Sequence, residues 1–316
     1  MKVVAITLNP SLDKTVTLDT ITIGGLNRVT DIIEDASGKG INVSKNCSLW
    51  GLESLALGFL GGYVGEHVKL TLDSENIKTD MVNIDGNTRV NLKVHSTIDH
   101  VITEINEPGP SINNADIEAL NIKIRQHVDQ HTIMVLSGSA PRNFQAELYQ
   151  HIVALGKKQG AWVVLDADKD AFAYGLQATP NLIKPNDKEV QWYQRSEHPL
   201  NERQLIHQAV KWVDDGIEWV VISRGKEGAI FADREHVYVA DGLKVNFASS
   251  TGAGDAMVSA MIYAKANTWS FEKACIFAVA ASAATVETFG TKPATLDAIY
   301  SKFGDVKIKE VKRDEN

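Results

Sequence analysis

Four short segments join small residues or a helix-opening amide to an ionisable side chain, the combination needed where backbone and side chain act together on an anion. In SSTGAGDAMVSAMIYA, residues 249–264, the run Gly252, Ala253 and Gly254 lies directly ahead of a strongly apolar helical pattern. Its backbone N–H groups can converge on an anion at the positive end of the helix dipole. Asp255 then falls in the first turn, where a carboxylate can take a proton from an attacking hydroxyl while the amides stabilise a moving phosphoryl group. The same spacing also describes a glycine turn with Asp255 as helix N-cap.

In SGKGINVSKN, residues 37–46, Gly38 and Gly40 bracket Lys39, and Asn42 opens a helix. The glycines allow close approach of backbone to ligand, and Lys39 and Asn42 supply a cation and an amide suited to a phosphorylated sugar. Gly40 follows Lys39, so the P-loop pattern is not met, and Met257 stands where a dinucleotide fingerprint needs its third glycine. In LIKPNDKEVQ a strand ends at Lys184-Pro185 and a helix begins near Asn186, with Glu189 one turn on and on the same face. Those oxygens suit the water shell of Mg²⁺, and they equally suit a capping box. In ISRGKEGAIF, Ser223, Gly225 and Gly228 form a tight turn that fits a phosphate or ribose edge or a plain hairpin. His127 and His131 have i, i+4 spacing but Val128 replaces the glutamate of a zincin, so both read as surface residues.

The supports for these segments follow from periodicity. The runs VVAIT, SLALGFL, TIMVLSG, AWVVLDA, NLIKP and EWVVISRG alternate with helical patterns at 42–50, 114–127, 144–158 and 202–214. That order predicts an α/β fold with a mostly parallel sheet covered on both faces. Residues 15–35 and 89–106 each offer two strand-like runs without a helix between, joined at Gly24-Gly25 and at Asp99. They predict two antiparallel hairpins forming a small lid sheet, whose one apolar face needs covering by substrate, core or another subunit. The apolar run 274–286 is shorter than the roughly 18 residues a membrane span requires and predicts a buried helix.

Composition narrows the partners. Among 316 residues, 40 acids oppose 32 bases, a net charge of -8 that argues against nucleic acid. Cys47 and Cys275 are far apart and outside any CxxC pattern, so neither a disulfide framework nor a thiolate zinc site is expected. The first ten residues, MKVVAITLNP, are too short in apolar length for a signal-peptide core, and a cytoplasmic location is expected.

Taken in order, TLNPSLD, SGKGINVSK, FLGGYVGEH, TRVNLKV, TEINEPGP, LSGSAP, KPNDKE, SRGKEGA and SSTGAGDA resemble the PfkB sugar kinases of the ribokinase-like fold along essentially the whole chain. Departures are Ser37, where Ala or Gly is usual, Ala256, where phosphofructokinases often have Ser, and LDADKDAF, which is left without a role. The resemblance implies a large nucleotide- and substrate-binding α/β domain (1–11, 37–87 and 107–316) and a β-lid (12–36 and 88–106). It implies ATP-dependent transfer to a sugar hydroxyl, with Asp255 as base and Gly252, Ala253 and Gly254 as anion hole. Asn186 and Glu189 would organise Mg²⁺ through water, and Lys184, Ser223, Gly225, Gly228, Ser250 and Thr251 would line ATP with Gly252 and Gly254. Asp13, Gly38 and Asn42 would hold sugar hydroxyls, and Lys39 and Arg89, with Ser139 and Arg28, would face the sugar's phosphate. The lid would clasp that of a second subunit in a homodimer, with no membrane or nucleic-acid partner. Within the family, Arg89-x-Asn91-x-Lys93 followed by Thr103-Glu104 is most similar to the 1-phosphofructokinases, which implies phosphorylation of the 6-hydroxyl of fructose 1-phosphate. Tagatose 6-phosphate and fructose 6-phosphate are the alternative acceptors, differing by ring orientation or one hydroxyl. A silent sensor has no need of Asp255, and a nucleoside acceptor offers Lys39 and Arg89 no partner.

Overall fold

The computed structural model describes residues 1–143, 145, 147–246, 249, 251–288 and 290–313, so Ser250 lies outside the described residues. The strands are β1 (Lys2–Thr7), β2 (Ser11–Leu18), β3 (Asp31–Ser37), β4 (Ser54–Gly61), β5 (Lys78–Thr79), β6 (Val82–Ile84), β7 (Arg89–Ser96), β8 (Val101–Asn106), β9 (Thr132–Ser137), β10 (Trp162–Asp166), β11 (Leu182–Ile183), β12 (Trp219–Ser223), β13 (Ala229–Ala232), β14 (Val237–Ala240) and β15 (Ile308–Val311). The helices are α1 (Lys39–Leu49), α2 (Gly62–Ser74), α3 (Asn114–His127), α4 (Glu147–Lys158), α5 (Lys169–Leu176), α6 (Asp187–Tyr193), α7 (Glu202–Asp214), α8 (Ala253–Ala266), α9 (Phe271–Val286) and α10 (Leu296–Phe303).

The main sheet runs β15-β14-β13-β12-β11-β10-β9-β1-β4-β5, with β6 added to β4. Pairing is parallel from β5 to β12 and antiparallel from there to β15. Strands such as β9 are buried at every residue, because both faces carry helices. On one face Leu120, Ile124, Tyr149, Ile152 and Trp212 belong to one apolar cluster; on the other Val43, Met257, Met261, Phe277 and Ile299 belong to a second. The apolar run at 274–286 is the buried part of α9, as its composition predicts. Among the described residues no helix is long and apolar enough to cross a membrane.

A separate four-stranded sheet, β3-β2-β7-β8, forms the lid. Its two antiparallel hairpins join through a parallel β2–β7 pair. The first hairpin is shorter at its tip than the sequence pattern suggests: β2 stops at Leu18 and β3 starts at Asp31. Beyond the cross-strand bond from Thr30 N–H to the Thr17 carbonyl the tip is a local loop, where Asn27 accepts from the Thr22 N–H at 2.7 Å and donates to the Thr22 carbonyl at 2.9 Å. Asp99 ties the hairpins together by accepting from the Thr20 and Ser96 hydroxyls.

Register sorts the lid's faces. Asp13, Asp35 and Asn91 stand side by side on one face with Arg89 and Lys93, whereas Leu12, Val16, Ile32, Leu92, Val94 and Ile105 alternate onto the other. The lid is anchored at its base, where β2 follows β1 closely and β3 passes through Gly38 into α1. The glycines there serve helix–sheet contact first: a Cβ on Gly40 would lie 2.5 Å from Thr7 Oγ1 and 2.9 Å from the Ile6 carbonyl. Close approach to β1, expected at a ligand, therefore sets this turn.

Candidate active site

The parallel strands end together along one edge, and β1 is the point where the order reverses, with β4 on one side and β9 on the other. Crevices at such switch points are where open α/β sheets bind ligands. Asp166 ends β10 at the floor of this crevice and is fully buried. Lys39, the first residue of α1, places Nζ 3.2 Å from Asp166 Oδ1, and Lys184, just beyond β11, reaches the same oxygen at 3.5 Å. Burial works to raise the Asp166 carboxyl, but Lys184 and Lys39 together hold it below the usual range. For Lys39, burial works downward while Asp166, Glu189 and Asp255 together raise it, so it stays an ammonium. Asp166 belongs to the LDADKDAF stretch that the sequence left without a role. Its position after a buried β-run that ends in a crevice is the signal that could have found it.

Asp255 is not the N-cap of α8. Gly252 takes that position with φ 80°, a left-handed backbone that favours glycine, and no side chain caps the helix. The Asp255 carboxylate instead accepts from Asn42 Nδ2 of α1 at 2.7 Å. Burial, then the neighbouring Asp166, pushes Asp255 up to about 6, with Lys39, the Asn42 hydrogen bond and Lys184 pulling the other way. The first hydrogen bond within α8 runs from Ala256 N–H to the Gly252 carbonyl, so the amides of the preceding turn remain available to an anion. Lys184 stands over this turn: a Cβ on Gly254 would lie 3.3 Å from its Nζ. Thr251 donates its N–H to Ser249 Oγ beside the same turn.

Asn186 and Glu189 form the reciprocal capping box: Asn186 Oδ1 accepts from Glu189 N–H and Glu189 Oε2 accepts from Asn186 N–H, each at 2.8 Å. Of the two Glu189 carboxylate oxygens, only Oε2 accepts a hydrogen bond among the described residues. Burial raises its carboxyl and Asp166 adds to that, opposed by Lys39 and Lys184. Glu189, Asp166 and Asp255 thus outnumber the two lysines among them, an arrangement that fits a divalent cation arriving with a polyphosphate. Ser223 lies beside this strand end, donating its N–H to the Pro185 carbonyl at 3.0 Å. The turn after it is a 3-10 turn, Gly225–Glu227, in a hairpin between β12 and β13, and Gly228 packs on the Ala240–Gly242 backbone. The hairpin geometry is therefore present, with Ser223 and Gly225 at its crevice end.

On the lid side, Arg89 Nη2 donates to Ser139 Oγ at 3.3 Å, which brings the base of β7 next to the segment that follows β9. Gly38 caps α1 next to Lys39. Asp13 is buried and accepts from Ser11 Oγ at 2.8 Å and Asn91 Nδ2 at 3.0 Å on Oδ1, and from Lys93 Nζ at 2.8 Å on Oδ2. Burial acts to raise it, but Lys93 and these hydrogen bonds hold it below the ordinary carboxylate value. Ser11, Asn91 and Lys93 were not among the expected site residues. Arg28 is not brought to Arg89: it is exposed in the loop beyond the far end of β2, without a hydrogen bond or ion pair among the described residues. The long tip loop carries it away from its own chain's crevice. His127 is half-buried and bonds Asp80, and His131 is exposed.

Comparison with known proteins bears on this geometry. The family model described as pfkB family carbohydrate kinase matches residues 6–298. A 1-phosphofructokinase of Bacillus subtilis (strain 168) is 33% identical over 304 residues, covering 96% of this chain and 98% of the relative. A D-tagatose-1-phosphate kinase of Bacillus licheniformis is 32% identical over 256 residues, 81% of this chain and 83% of the relative. The structure of phosphofructokinase-2 from Escherichia coli in complex with fructose-6-phosphate superposes with a TM-score of 0.89 at 28% identity, covering 96% of this chain and 98% of that one.

The electrostatics of Asp255 can be read directly. In ¹³C-aspartate NMR of the unligated protein its carboxyl is expected to titrate at about 6, and Asn42→Ala, which removes a bond to the charged form, should move it higher. A midpoint at the ordinary 3.8 would show that the crevice does not set the acidity of this group.

Proposed function

This chain belongs to the pfkB family of carbohydrate kinases, and from that premise we propose that it transfers the γ-phosphoryl group of ATP to the 6-hydroxyl of D-fructose 1-phosphate, giving fructose 1,6-bisphosphate and ADP. The observation that carries the transfer chemistry is Asp255: a buried carboxylate poised at about 6, in the first turn of α8, beside free amides and two ammonium groups. As the 6-hydroxyl oxygen bonds to the γ-phosphorus and the bond to the β,γ-bridging oxygen breaks, the hydroxyl proton passes to Asp255. The amides of Gly252, Ala253 and Gly254 meet the charge on the phosphoryl oxygens, and Lys184 adds a cation at the same turn. Asn42 fixes the orientation of Asp255. Mg²⁺, held through water near Asn186 and Glu189, would neutralise charge on the polyphosphate. Ser223, Gly225, Gly228 and Thr251 line the nucleotide's side of the crevice.

Asp13 receives a sugar hydroxyl, and Arg89, Ser139 and Lys39 surround the phosphate already on the sugar. A 1-phosphate is favoured over the 6-phosphates of tagatose and fructose because the two sequence relatives above are both named for ketohexose 1-phosphates, and the first spans nearly the whole chain. A homodimer built on the lid is supported by the lid's outer face, where Ile32, Val101 and Ile105 are exposed together with Ile23 and Leu26 of the tip loop.

A coupled assay of ATP consumption on fructose 1-phosphate, fructose 6-phosphate, tagatose 6-phosphate and the free sugars should give the highest kcat/KM for fructose 1-phosphate. Preference for another ketohexose phosphate would overturn the acceptor and leave the kinase. Asp255→Asn should bind the sugar phosphate within about threefold of wild type and lose about 10²–10⁴ in turnover. The base must be ionised to act and its pKa is raised, so wild-type kcat/KM should fall as pH drops through about 6 and level off above it. In analytical ultracentrifugation the wild type should sediment at twice the 34.6 kDa chain mass, and Ile32→Asp with Ile105→Asp as a single chain. A monomeric wild type would rule out the lid interface.

A further inference from the structure

Lys93 takes no part in the transfer chemistry, yet its ammonium is buried in the lid against a single carboxylate. We propose that Lys93 is a positioning residue for the sugar, holding Asp13 as an acceptor-only carboxylate with one lone pair left for a substrate hydroxyl. The inference rests on the reading of Asp13 as a hydroxyl ligand. Lys93 lies on β7 one pleat beyond Asn91, and its Nζ reaches back to Asp13 Oδ2 at 2.8 Å. The side chains are only 10% and 7% exposed, so the pair is formed away from water.

An ionised carboxylate offers about four lone-pair sites. Ser11 and Asn91 occupy both on Oδ1, and Lys93 occupies one on Oδ2. One site on Oδ2 is left, which allows a single hydroxyl to donate and fixes the direction from which it comes. The charges around Asp13 explain why a cation is needed there. Arg89 shares β7 with Lys93, and across the lid Asp35 of β3 is the register partner of Asp13. Asp35 is itself raised, first by burial, with Glu75 and Asp13 adding to that and Lys45 and Lys292 opposing it. Without the Lys93 charge, Asp13 is a buried carboxylate facing another, and it takes up a proton. A protonated carboxyl turns a donor toward the hydroxyl it should accept from.

Two measurements on Lys93→Met, Lys93→Gln and Lys93→Arg decide this. In ¹³C-aspartate NMR of the unligated proteins, Asp13 should titrate below 3.8 in the wild type and in Lys93→Arg, and roughly one to three pH units higher in the neutral variants. With fructose 1-phosphate, the ratio of variant to wild-type KM for the sugar should grow about tenfold for each pH unit below that raised midpoint and shrink toward one above it. KM for ATP should stay within about threefold of wild type throughout, as expected when only sugar binding is touched. An unmoved Asp13 midpoint, or a rise in sugar KM equal at every pH, overturns the proposal, since a purely structural lysine would give the latter. If the wild type fails to phosphorylate fructose 1-phosphate, the functional reading falls, while the titration still decides whether Lys93 governs Asp13.

Discussion

The crevice depends on one buried carboxylate. Asp166 carries no water contact of note, yet two ammonium groups converge on its Oδ1 from α1 and from the end of β11. Removing either partner from such a cluster leaves charge buried without compensation, so the three groups hold one another in place. Their elements are far apart in sequence, with Lys39 and Asp166 separated by 127 positions. The cluster thus locks the N-terminus of α1 to the floor of the sheet. It also acts on its surroundings, because Asp166 is the second cause, after burial, of the raised pKa of Asp255. A carboxyl raised to about 6 and two ammonium groups beside it follow from a single placement.

Much of the scaffold was legible because it rests on local pattern. The bounds of α3 and α7 coincide with the periodic stretches 114–127 and 202–214, and both helices open on an asparagine capping box. The glycine run before α8 was legible for the same reason, since backbone at a helix start needs small residues whatever the ligand. Side-chain pairs that close across the fold were not. Nothing in spacing joins Asn42 to Asp255, 213 residues on, or singles out Asp166 from other aspartates that end strands. Asp255 could be read as an N-cap because a capping aspartate and a catalytic one share the same first turn. Only the tertiary partner separates them. At Asn186 the capping box that the spacing also allowed is present, built on Oε2 of Glu189.

The chain's net charge of -8 and a site built for polyanions are compatible because the two operate on different length scales. Net charge acts through solvent and is screened over about 10 Å. The crevice acts at contact distance, with Lys184 buried and Lys39 half-buried beside amides that carry no formal charge. Asp166, Glu189 and Asp255 keep Lys39 charged, and these three carboxylates outnumber the two lysines beside them.

The lid divides its labour by strand parity. Successive residues of β7 point to opposite faces, so Arg89, Asn91 and Lys93 share the polar side while Leu92 and Val94 share the apolar one. A one-residue slip between β2 and β7 would exchange the faces and expose the polar row to the apolar surroundings. The parallel β2–β7 pair that joins the two hairpins prevents this, because its register matches Ser11 to Arg89 and carries through to Leu18 and Ser96. At the base, the hairpin runs from Ser37 through Gly38 directly into Lys39 of α1. Lys39 therefore stands two residues beyond the end of β3, and Asn42 follows one turn on. The lid strand β3 is thus continuous with the helix that supplies both Lys39, paired with Asp166, and Asn42, the hydrogen-bond partner of Asp255.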